Sequence, residues 1–479
     1  LVPLLVALSG WQGRPDHYPG VPARRGFGLG LLAGFVHFAG TVYWTGATVQ
    51  TFGGLPWPVA VFVTALLVLY MATFVGAVGA LTGLFVSRLG VAGVLLAPAA
   101  WTAFEYLRGH LFGGFPWIPL GNSMVGLLPV AQLASLVGVY GLTLFVGLVN
   151  AGFAVAALSA GPRRWYAAGA TFAAIALLSG WGGQRLAANT LVESGTPIRV
   201  GLIQANIAQA DKWNPAREDM IVERYLQLSR QAADAGAEFL LWPETAAPFT
   251  FAEDPKAELI RATVRSIGRP LLLGSDEFDR GTTTQAYNSA FMLDPSGATA
   301  AVYRKIHLVP FGEYVPFQRL LFFVGPLVDA VSAFTPGREV TMLPVQGHLA
   351  STAICYEVTY PSLMREAVLQ GSELLTTITN DAWYGESSAA FQHFEMAAMR
   401  AVEQGRYMVR AANTGVTGII DPYGRVLVRT RLFETAAVVG EARFVRGMTL
   451  YARIGDLVAQ VSAALTGLVL AAVLMRRQK

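Results

Sequence analysis

The sequence predicts a protein of two parts, a multi-span α-helical membrane bundle and an α/β domain outside the bilayer. Charged residues make up only 14% of the 479 residues, and hydrophobic residues make up 53%. A soluble protein usually carries about 25% charged residues. The few charges are also unevenly distributed, because residues 26–185 are nearly uncharged whereas Pro197 to Tyr451 has an ordinary mixture of residue types. These two observations together predict the fold class.

Six apolar runs predict the membrane helices, since a helix needs about 20 residues to cross the hydrocarbon core. They lie at roughly 26–46, 58–86, 91–107, 127–158, 166–186 and 455–475. Backbone groups find no water in lipid, so these runs should be helical. The pairs Gly30–Gly34 and Gly79–Gly83 have a spacing that lets helices pack closely. We expect a membrane helical bundle over residues 1–190 and a C-terminal transmembrane helix over 453–476.

The N-terminal residues are interpreted as the end of a membrane helix. The sequence starts at Leu1, and its first nine residues are apolar. No basic segment precedes them, which argues against the remnant of a signal peptide. The bundle is therefore expected to be truncated at its N-terminus.

Basic loop residues predict the orientation, because Lys and Arg concentrate on the cytoplasmic side of a membrane. With the spans above, most basic loop residues fall on one side, with Arg108 as an exception. Residues 187–454 then lie on the opposite side, which in a bacterium is the periplasm. We expect a multi-pass inner-membrane protein with a cytoplasmic C-terminus. The basic residues used are Arg14, Arg24, Arg25, Arg88, Arg163, Arg164, Arg476, Arg477 and Lys479.

Glu105 and Arg108 are the unusual pair in the apolar half of the sequence. Ionisable groups at membrane depth are costly and often functional. An i,i+3 ion pair at the membrane interface explains the same spacing, and we prefer that structural interpretation.

The remaining composition excludes several classes of site. The net charge of +4 comes from scattered basic residues, so no nucleic-acid partner is predicted. One cysteine cannot form an intrachain disulfide. His307, His348 and His393 show no spacing typical of a Cys–His pair or of a metal site. We therefore predict neither a metal nor another cofactor.

The segment 195–445 is predicted to be a periplasmic α/β catalytic domain, because short β-rich runs alternate with helical patterns. The predicted helices lie around 215–235, 255–267, 361–370 and 390–404. The predicted strands are Ile198–Gln204, Glu238–Trp242, Leu271–Ser275, Ser289–Leu293, Leu349–Ile354, Leu374–Ile378 and Met408–Ala411.

Three reactive residues stand at strand ends of this domain, where functional residues of layered α/β folds gather. Glu244 follows a strand that stops at Pro243, Lys305 precedes a turn-rich segment, and Cys355 ends a strand. A thiol attacks a carbonyl after losing its proton, which a nearby carboxylate accepts. A lysine stabilises the thiolate and the developing oxyanion. Each residue taken alone is more often structural, so composition by itself does not make Cys355 catalytic.

The segments around these residues resemble, in order, the Glu, Lys and Cys motifs of the nitrilase superfamily. They are Trp242-Pro-Glu-Thr245, Tyr303-Arg-Lys-Ile-His-Leu308 and Ile354-Cys-Tyr-Glu357. The resemblance implies an αββα sandwich with Glu244 as general base, Lys305 as electrostatic partner of the tetrahedral intermediate and Cys355 as nucleophile.

The arrangement of several spans, such a domain and a last span is similar to the apolipoprotein N-acyltransferases, the membrane-bound branch of that superfamily. Glu313 in Pro310-Phe-Gly-Glu-Tyr-Val-Pro316 matches an acidic residue needed in that family. Tyr356, Glu357 and Trp242 are expected to support the site or bind substrate. Further matching segments are Trp101–Gly109, Gly114–Trp117 and Thr379–Gly385.

This resemblance implies the last step of lipoprotein maturation. Cys355 takes an acyl chain from the sn-1 ester of a membrane phospholipid as a thioester, and the α-amino group of a diacylglyceryl-modified N-terminal cysteine then receives it. The expected partners are a phospholipid donor, a diacylated apolipoprotein acceptor and membrane lipid. The alternatives are a membrane-tethered carbon–nitrogen hydrolase (amidase or nitrilase) that acts on a small amide and shares the triad, and a transporter with a large outer domain.

An apolar stretch after the lysine motif is predicted to be a membrane-facing arm or lid that admits acyl chains. The other interpretation of this stretch is ordinary core. It comprises Phe311, Phe317, Leu320, Leu321, Phe322, Phe323 and Val324.

Overall fold

The structure is a computed structural model that describes residues 1–13, 17–280, 284–314 and 334–475. The chain divides into two compact units. One comprises Leu1–Ala188 with Arg453–Lys479, and the other comprises Asn189–Ala452.

The first unit is helical. It contains α1 (Val2–Leu8), α2 (Ala23–Thr41), α3 (Trp44–Gly53), α4 (Trp57–Leu89), α5 (Ala97–Arg108), α6 (Leu128–Ala131), α7 (Ala134–Leu158) and α8 (Pro162–Ala188). After the second unit and α14 (Leu450–Ile454), helix α15 (Leu457–Met475) ends the described chain.

Three helical segments among the described residues are long and apolar enough to cross a membrane: Trp57–Arg108, Ala134–Leu158 and Leu457–Met475. A fourth results if the bent pair α2 and α3 forms one span. These segments confirm the predicted membrane bundle but are fewer than the six predicted spans. The predicted spans 58–86 and 91–107 fall within one segment, and the 166–186 run forms α8, which is not among these three segments. The orientation therefore stays a prediction.

Small residues let α2 and α4 approach closely, as their spacing predicts. A Cβ atom added at Gly30 would lie 2.4 Å from the Val75 carbonyl oxygen, and one at Gly79 would lie 2.3 Å from that of Gly26. Both distances are far below van der Waals contact. Glycine is thus required for this helix pair, which is the role that small-residue spacing has in membrane bundles.

Glu105 and Arg108 form a buried structural node in the helical unit. Their nearest charged atoms are 3.8 Å apart. Glu105 accepts hydrogen bonds from the Leu120 N–H at 2.8 Å and the Thr143 hydroxyl at 2.6 Å. Arg108 donates to the carbonyls of Phe115 and Trp117. The pair therefore ties the loop after α5 to α5 and α7, which agrees with the preferred structural interpretation.

Two six-stranded sheets form the second unit. The first sheet has the order β12-β1-β2-β3-β4-β5 and the second the order β11-β10-β9-β8-β7-β6. The strands of the first are β1 (Thr196–Gln204), β2 (Phe239–Leu241), β3 (Leu271–Arg280), β4 (Thr284–Leu293), β5 (Thr299–Arg304) and β12 (Ala436–Phe444). Those of the second are β6 (Leu343–Val345), β7 (His348–Ile354), β8 (Leu374–Thr379), β9 (Met408–Ala412), β10 (Gly418–Ile420) and β11 (Val426–Arg429).

Helices cover the outer faces of both sheets. The helices of this unit are α9 (Thr190–Glu193), α10 (Glu218–Asp234), α11 (Ala257–Ile267), α12 (Pro361–Leu369) and α13 (Ala389–Gln404). Apolar residues of the first sheet, such as Leu202 and Leu241, share one core with Ile378 and Val409 of the second. Leu240 and Leu273 point the other way, toward α10 and α11, because side chains alternate along a strand. These layers confirm the predicted αββα sandwich.

The seven predicted strands and four predicted helices of this domain are all present. Periodicity missed β5, β6 and β10–β12, which are short or exposed on one face. Residues 317–324 of the predicted arm lie outside the described residues. Its first member, Phe311, is described and has 53% of its surface exposed.

Candidate active site

Strand ends place the three predicted reactive residues, with Glu244 after β2, Lys305 after β5 and Cys355 after β7. Beyond the end of β2 the chain continues beside β3, since the Trp242 N–H donates to the Leu272 carbonyl at 2.8 Å. A Cβ atom at Gly274 would lie 2.7 Å from the Glu244 Cα atom. Glycine at position 274 thus allows the backbone that carries Glu244 to cross β3 closely.

Glu244 and Lys305 form a buried ion pair with a second carboxylate. The Lys305 Nζ atom lies 3.1 Å from Glu244 Oε1 and 2.8 Å from Glu313 Oε1. The Asn288 side-chain amide bridges the same two oxygens at 2.8 and 3.0 Å. The second Glu244 oxygen accepts from the Asn380 N–H at 2.9 Å. Lys305 is 1% exposed, so water screens this pair weakly.

Cys355 begins the 3-10 turn Cys355–Thr359 directly after β7. Its φ is +53°, in the left-handed region that non-glycine residues rarely occupy. Such strained residues cluster at active sites and persist because the surrounding structure holds them. The thiol is buried and lies near the Thr379 side chain.

The charges of the site favour an ionised glutamate beside a neutral thiol. Burial opposes ionisation of Glu244, but the ammonium groups of Lys305 and Lys212 outweigh it, so the pKa of this carboxyl lies below its usual value. Burial raises the pKa of the Cys355 thiol well above its normal range, the Glu244 carboxylate raises it further, and Lys305 acts in the opposite direction. A carboxylate that accepts a proton and a thiol that must lose one are thus present together.

Glu357 joins the lysine segment to the cysteine segment. Its Oε1 atom accepts hydrogen bonds from the Tyr303 hydroxyl at 2.8 Å and from the Ile306 and His307 N–H groups at 2.6 and 3.1 Å. Its Oε2 atom accepts from the Ile354 N–H at 2.7 Å. Burial nevertheless raises the pKa of Glu357 to about 7. The side chain therefore connects the backbone after Lys305 to the end of the strand before Cys355.

The two aromatic residues predicted to support the site occupy different places. Tyr356 is buried next to Cys355, and its ring meets that of Tyr360 edge-on. Trp242 faces the helix layer instead. Its indole donates to the Ser229 hydroxyl at 2.8 Å, and its ring stacks on Tyr225. The Trp242 side chain thus anchors the strand before Glu244 from the outer face of the sheet.

Sequence reasoning missed several polar residues of this region. Asn288, in β4, bridges the two carboxylates. Lys212 is buried and donates to the Glu244 carbonyl at 3.1 Å, and burial lowers its pKa to about 8. Neither residue stands in a recognisable motif. The pairing of the strands brings Asn288 to Glu244, and the turn after β1 brings Lys212 there.

Asp381 and His393 lie next to Cys355. Their spacing in the sequence did not indicate a role for either residue. Ligand-type atoms of Cys355, Asp381 and His393 lie within 4.8 Å of one another, a donor set that metals use. The guanidinium of Arg410, however, already donates to Asp381 at 2.7 Å and lies 3.0 Å from the His393 Nδ1 atom. A cation there would meet a fixed positive charge, so these residues do not fit a metal.

Comparison with known proteins gives matches to both halves of the chain. The carbon–nitrogen hydrolase family matches residues 199–447, and the N-terminal domain of apolipoprotein N-acyltransferase matches residues 1–152. The chain is 39% identical to the apolipoprotein N-acyltransferase of Geobacter metallireducens, an alignment that covers 100% of this chain and 90% of that protein. It is 38% identical to the enzyme of Gloeobacter violaceus, over 97% of this chain and 87% of that protein. It is 32% identical to the enzyme of Shewanella oneidensis, over 100% of this chain and 92% of that protein.

Proposed function

Because the chain belongs to the apolipoprotein N-acyltransferase family, within the carbon–nitrogen hydrolases, we propose that it transfers an acyl chain from a membrane phospholipid to an apolipoprotein. The acyl chain passes through a thioester on Cys355. The acceptor is the α-amino group of the diacylglyceryl-modified N-terminal cysteine. No cofactor takes part in this scheme.

In the first half-reaction Cys355 attacks the carbonyl carbon of the sn-1 ester. Glu244 accepts the thiol proton, and Lys305 stabilises the negative charge that develops on the carbonyl oxygen. The ester C–O bond then breaks, and the proton returns from Glu244 to the departing oxygen. The products are the thioester and a lysophospholipid.

In the second half-reaction the α-amino group attacks the thioester carbon. An amide bond forms as the C–S bond breaks, and Glu244 carries the proton lost by the amine to the departing sulfur. The free thiol is thereby restored. Glu313 holds the Lys305 ammonium in place through both steps, since these two groups are 2.8 Å apart.

One observation carries this assignment. The Glu244 carboxylate and the Lys305 ammonium are buried together, and both are near enough to Cys355 to shift the pKa of its thiol. Burying these two charges is costly, because each loses its hydration, and their place beside a buried thiol gives that cost a catalytic use. The positive φ of Cys355 supports the same assignment.

We assign catalysis to residues 195–445 and membrane attachment to residues 1–190 and 453–476. In this proposal the protein lies in the bacterial inner membrane, with the catalytic domain in the periplasm and the C-terminus in the cytoplasm. The loop arginines support this orientation, although Arg14, Arg476, Arg477 and Lys479 lie outside the described residues.

Intact-mass analysis of purified protein mixed with a defined phospholipid tests the proposal. We expect a mass increase of one acyl chain, release of lysophospholipid and loss of both in Cys355→Ala. Turnover of a small amide without either product would instead identify a tethered hydrolase. Adding a diacylated lipopeptide should discharge the labelled protein and give an N-acylated peptide, and failure of that step would contradict the proposed acceptor.

A further inference from the structure

A second buried polar network lies behind Cys355, apart from the Glu244–Lys305 pair. Asp381 follows β8, His393 lies in α13 and Arg410 lies in β9. Each is at most 1% exposed. None of them has a part in the acyl transfer described above, yet burying three ionisable side chains is costly unless their interactions compensate.

The hydrogen bonds of this network end on the backbone of the nucleophile. The His393 Nε2 atom lies 3.0 Å from the Cys355 carbonyl oxygen. On the other side of the ring, Nδ1 lies 3.0 Å from Asp381 Oδ1 and 3.0 Å from an Arg410 nitrogen. That nitrogen also donates to Asp381 Oδ2 at 2.7 Å. A continuous chain of polar contacts thus runs from Arg410 to Cys355.

The chemistry of these partners determines which ring nitrogen carries hydrogen. A carbonyl oxygen only accepts hydrogen bonds, so the His393 Nε2 atom must be the donor. Burial and the Arg410 guanidinium lower the pKa of His393, which favours the neutral ring. On the other side of the ring, the Asp381 carboxylate and the Arg410 guanidinium hold Nδ1 between them, and Asp381 also binds that guanidinium.

Two further contacts hold Asp381. The Thr379 hydroxyl donates to Asp381 Oδ1 at 2.9 Å. The other carboxylate oxygen lies tightly against the backbone of residue 415, because a Cβ atom at Gly415 would lie 2.1 Å from Asp381 Oδ2. The carboxylate that contacts His393 is therefore itself held on two sides.

We propose that His393, oriented by Asp381 and Arg410, is a positioning residue that holds Cys355 in its left-handed backbone conformation and directs the thiol toward the acyl donor. The inference rests on the proposed function, in which Cys355 is the nucleophile. Loss of the hydrogen bond to the carbonyl lets the residue relax toward an ordinary φ. The thiol then moves relative to Glu244 and Lys305, and a displacement of about 1 Å costs about 100-fold in rate.

Two amide substitutions at His393 test this role. In His393→Gln the side-chain amide reaches the position of Nε2 and still donates to the Cys355 carbonyl. In His393→Asn the amide reaches only the position of Nδ1. We expect His393→Gln to retain the rate of acyl-enzyme formation within about tenfold, and His393→Asn to lose about 100-fold in kcat with an unchanged KM for phospholipid. Equal rates for the two variants, or a faster His393→Asn, would overturn the proposal.

Alkylation by iodoacetamide provides a readout that needs no acyl donor. The chain has a single cysteine, so intact mass reports Cys355 alone. We expect the alkylation rates to rank wild type, His393→Gln, His393→Asn. If wild type is alkylated but never acylated by phospholipid, the proposed function fails, and the ranking still decides the role of His393. If His393→Asn does not fold, a folded His393→Gln protein alkylated at a rate more than 100-fold below wild type contradicts the positioning role.

Discussion

The Lys305 ammonium and the Glu244 carboxylate lie 3.1 Å apart, although 61 positions separate them in the sequence. They meet because β2 and β5 end at the same region of one sheet, and Asn288 of the intervening β4 bonds to Glu244. Glu313 bonds to the same lysine from the following segment. This buried arrangement of one cation between two carboxylates leads to the first two predictions below.

Replacing Lys305 by Met should disable the site and destabilise the domain. The substitution leaves Glu244 and Glu313 buried without their cation, and removing one partner of a buried ion pair costs about 3–5 kcal/mol. Acyl-enzyme formation should fall by at least about 100-fold, because the oxyanion loses its charged donor. Intact-mass kinetics and thermal unfolding measure the two effects. Lys256→Met is the matched control, because Lys256 also pairs with two carboxylates, Glu218 and Asp219, but its own side chain is 45% exposed. An equal loss there would contradict the argument.

Replacing Lys212 by Met should shift the acid limb of the pH–rate profile. Lys212 helps to lower the pKa of Glu244, and Glu244 must be ionised to accept the thiol proton. Without this cation the pKa of Glu244 rises. When the pH is lowered, the activity of the variant should therefore begin to fall at a higher pH than that of wild type. The measurement is the rate of acyl-enzyme formation between pH 4 and 8, and an unmoved limb would show that Lys212 does not act on Glu244.

Alkylation of Cys355 should become faster with pH without reaching a plateau at neutral pH. Burial raises the pKa of this thiol, so the reactive thiolate is a small fraction that grows about tenfold per pH unit. Iodoacetamide labelling of wild-type protein from pH 6 to 9, followed by intact mass, measures this. A rate already constant below pH 7 would indicate a thiolate–lysine ion pair in the resting enzyme instead.

Glu357 should make stability depend on pH. Its pKa is raised in the folded protein from 4.5 to about 7, so the folded state binds the proton more tightly than the unfolded state. This contribution is fully present below about pH 4.5 and is lost as the pH rises through 7. Glu357→Gln removes that dependence. It also replaces one of two acceptor oxygens by an amide donor, which should cost about 1–3 kcal/mol.

Denaturant unfolding of both proteins at pH 5 and pH 8 tests the Glu357 prediction. The difference in stability between the two pH values should be smaller in the variant. An identical difference in both proteins would assign the pH dependence to other groups, such as Asp276, whose pKa burial raises to about 7.

The proposed orientation is tested with reporter fusions. A periplasm-active reporter fused after residue 440 should be active, because the loop arginines predict that residues 187–454 lie outside the cytoplasm. A reporter that functions only in the cytoplasm serves as the reciprocal control at the same position. Activity of the cytoplasmic reporter alone would reverse the proposed topology.

The sequence by itself determined the division into an apolar and an ordinary half, the alternating strands and helices of the second half and the strand ends that carry Glu244, Lys305 and Cys355. The αββα order of the layers was implied by the resemblance to the nitrilase superfamily. Periodicity and hydropathy are local properties, so they predict such elements well. They do not distinguish one bent span from two separate spans, because a bend or a break between apolar helices leaves the composition unchanged.

Only the tertiary structure decided what surrounds those three residues. His393 has no meaningful spacing from Cys355 in sequence, yet the packing of α13 brings its Nε2 atom to 3.0 Å from the Cys355 carbonyl. Lys212 and Asn288 reach Glu244 in the same way, through elements distant in the chain. The left-handed φ of Cys355 also depends on such contacts. Burial then determines the charge states, because a carboxylate, a thiol and an imidazole in low dielectric titrate according to their neighbours.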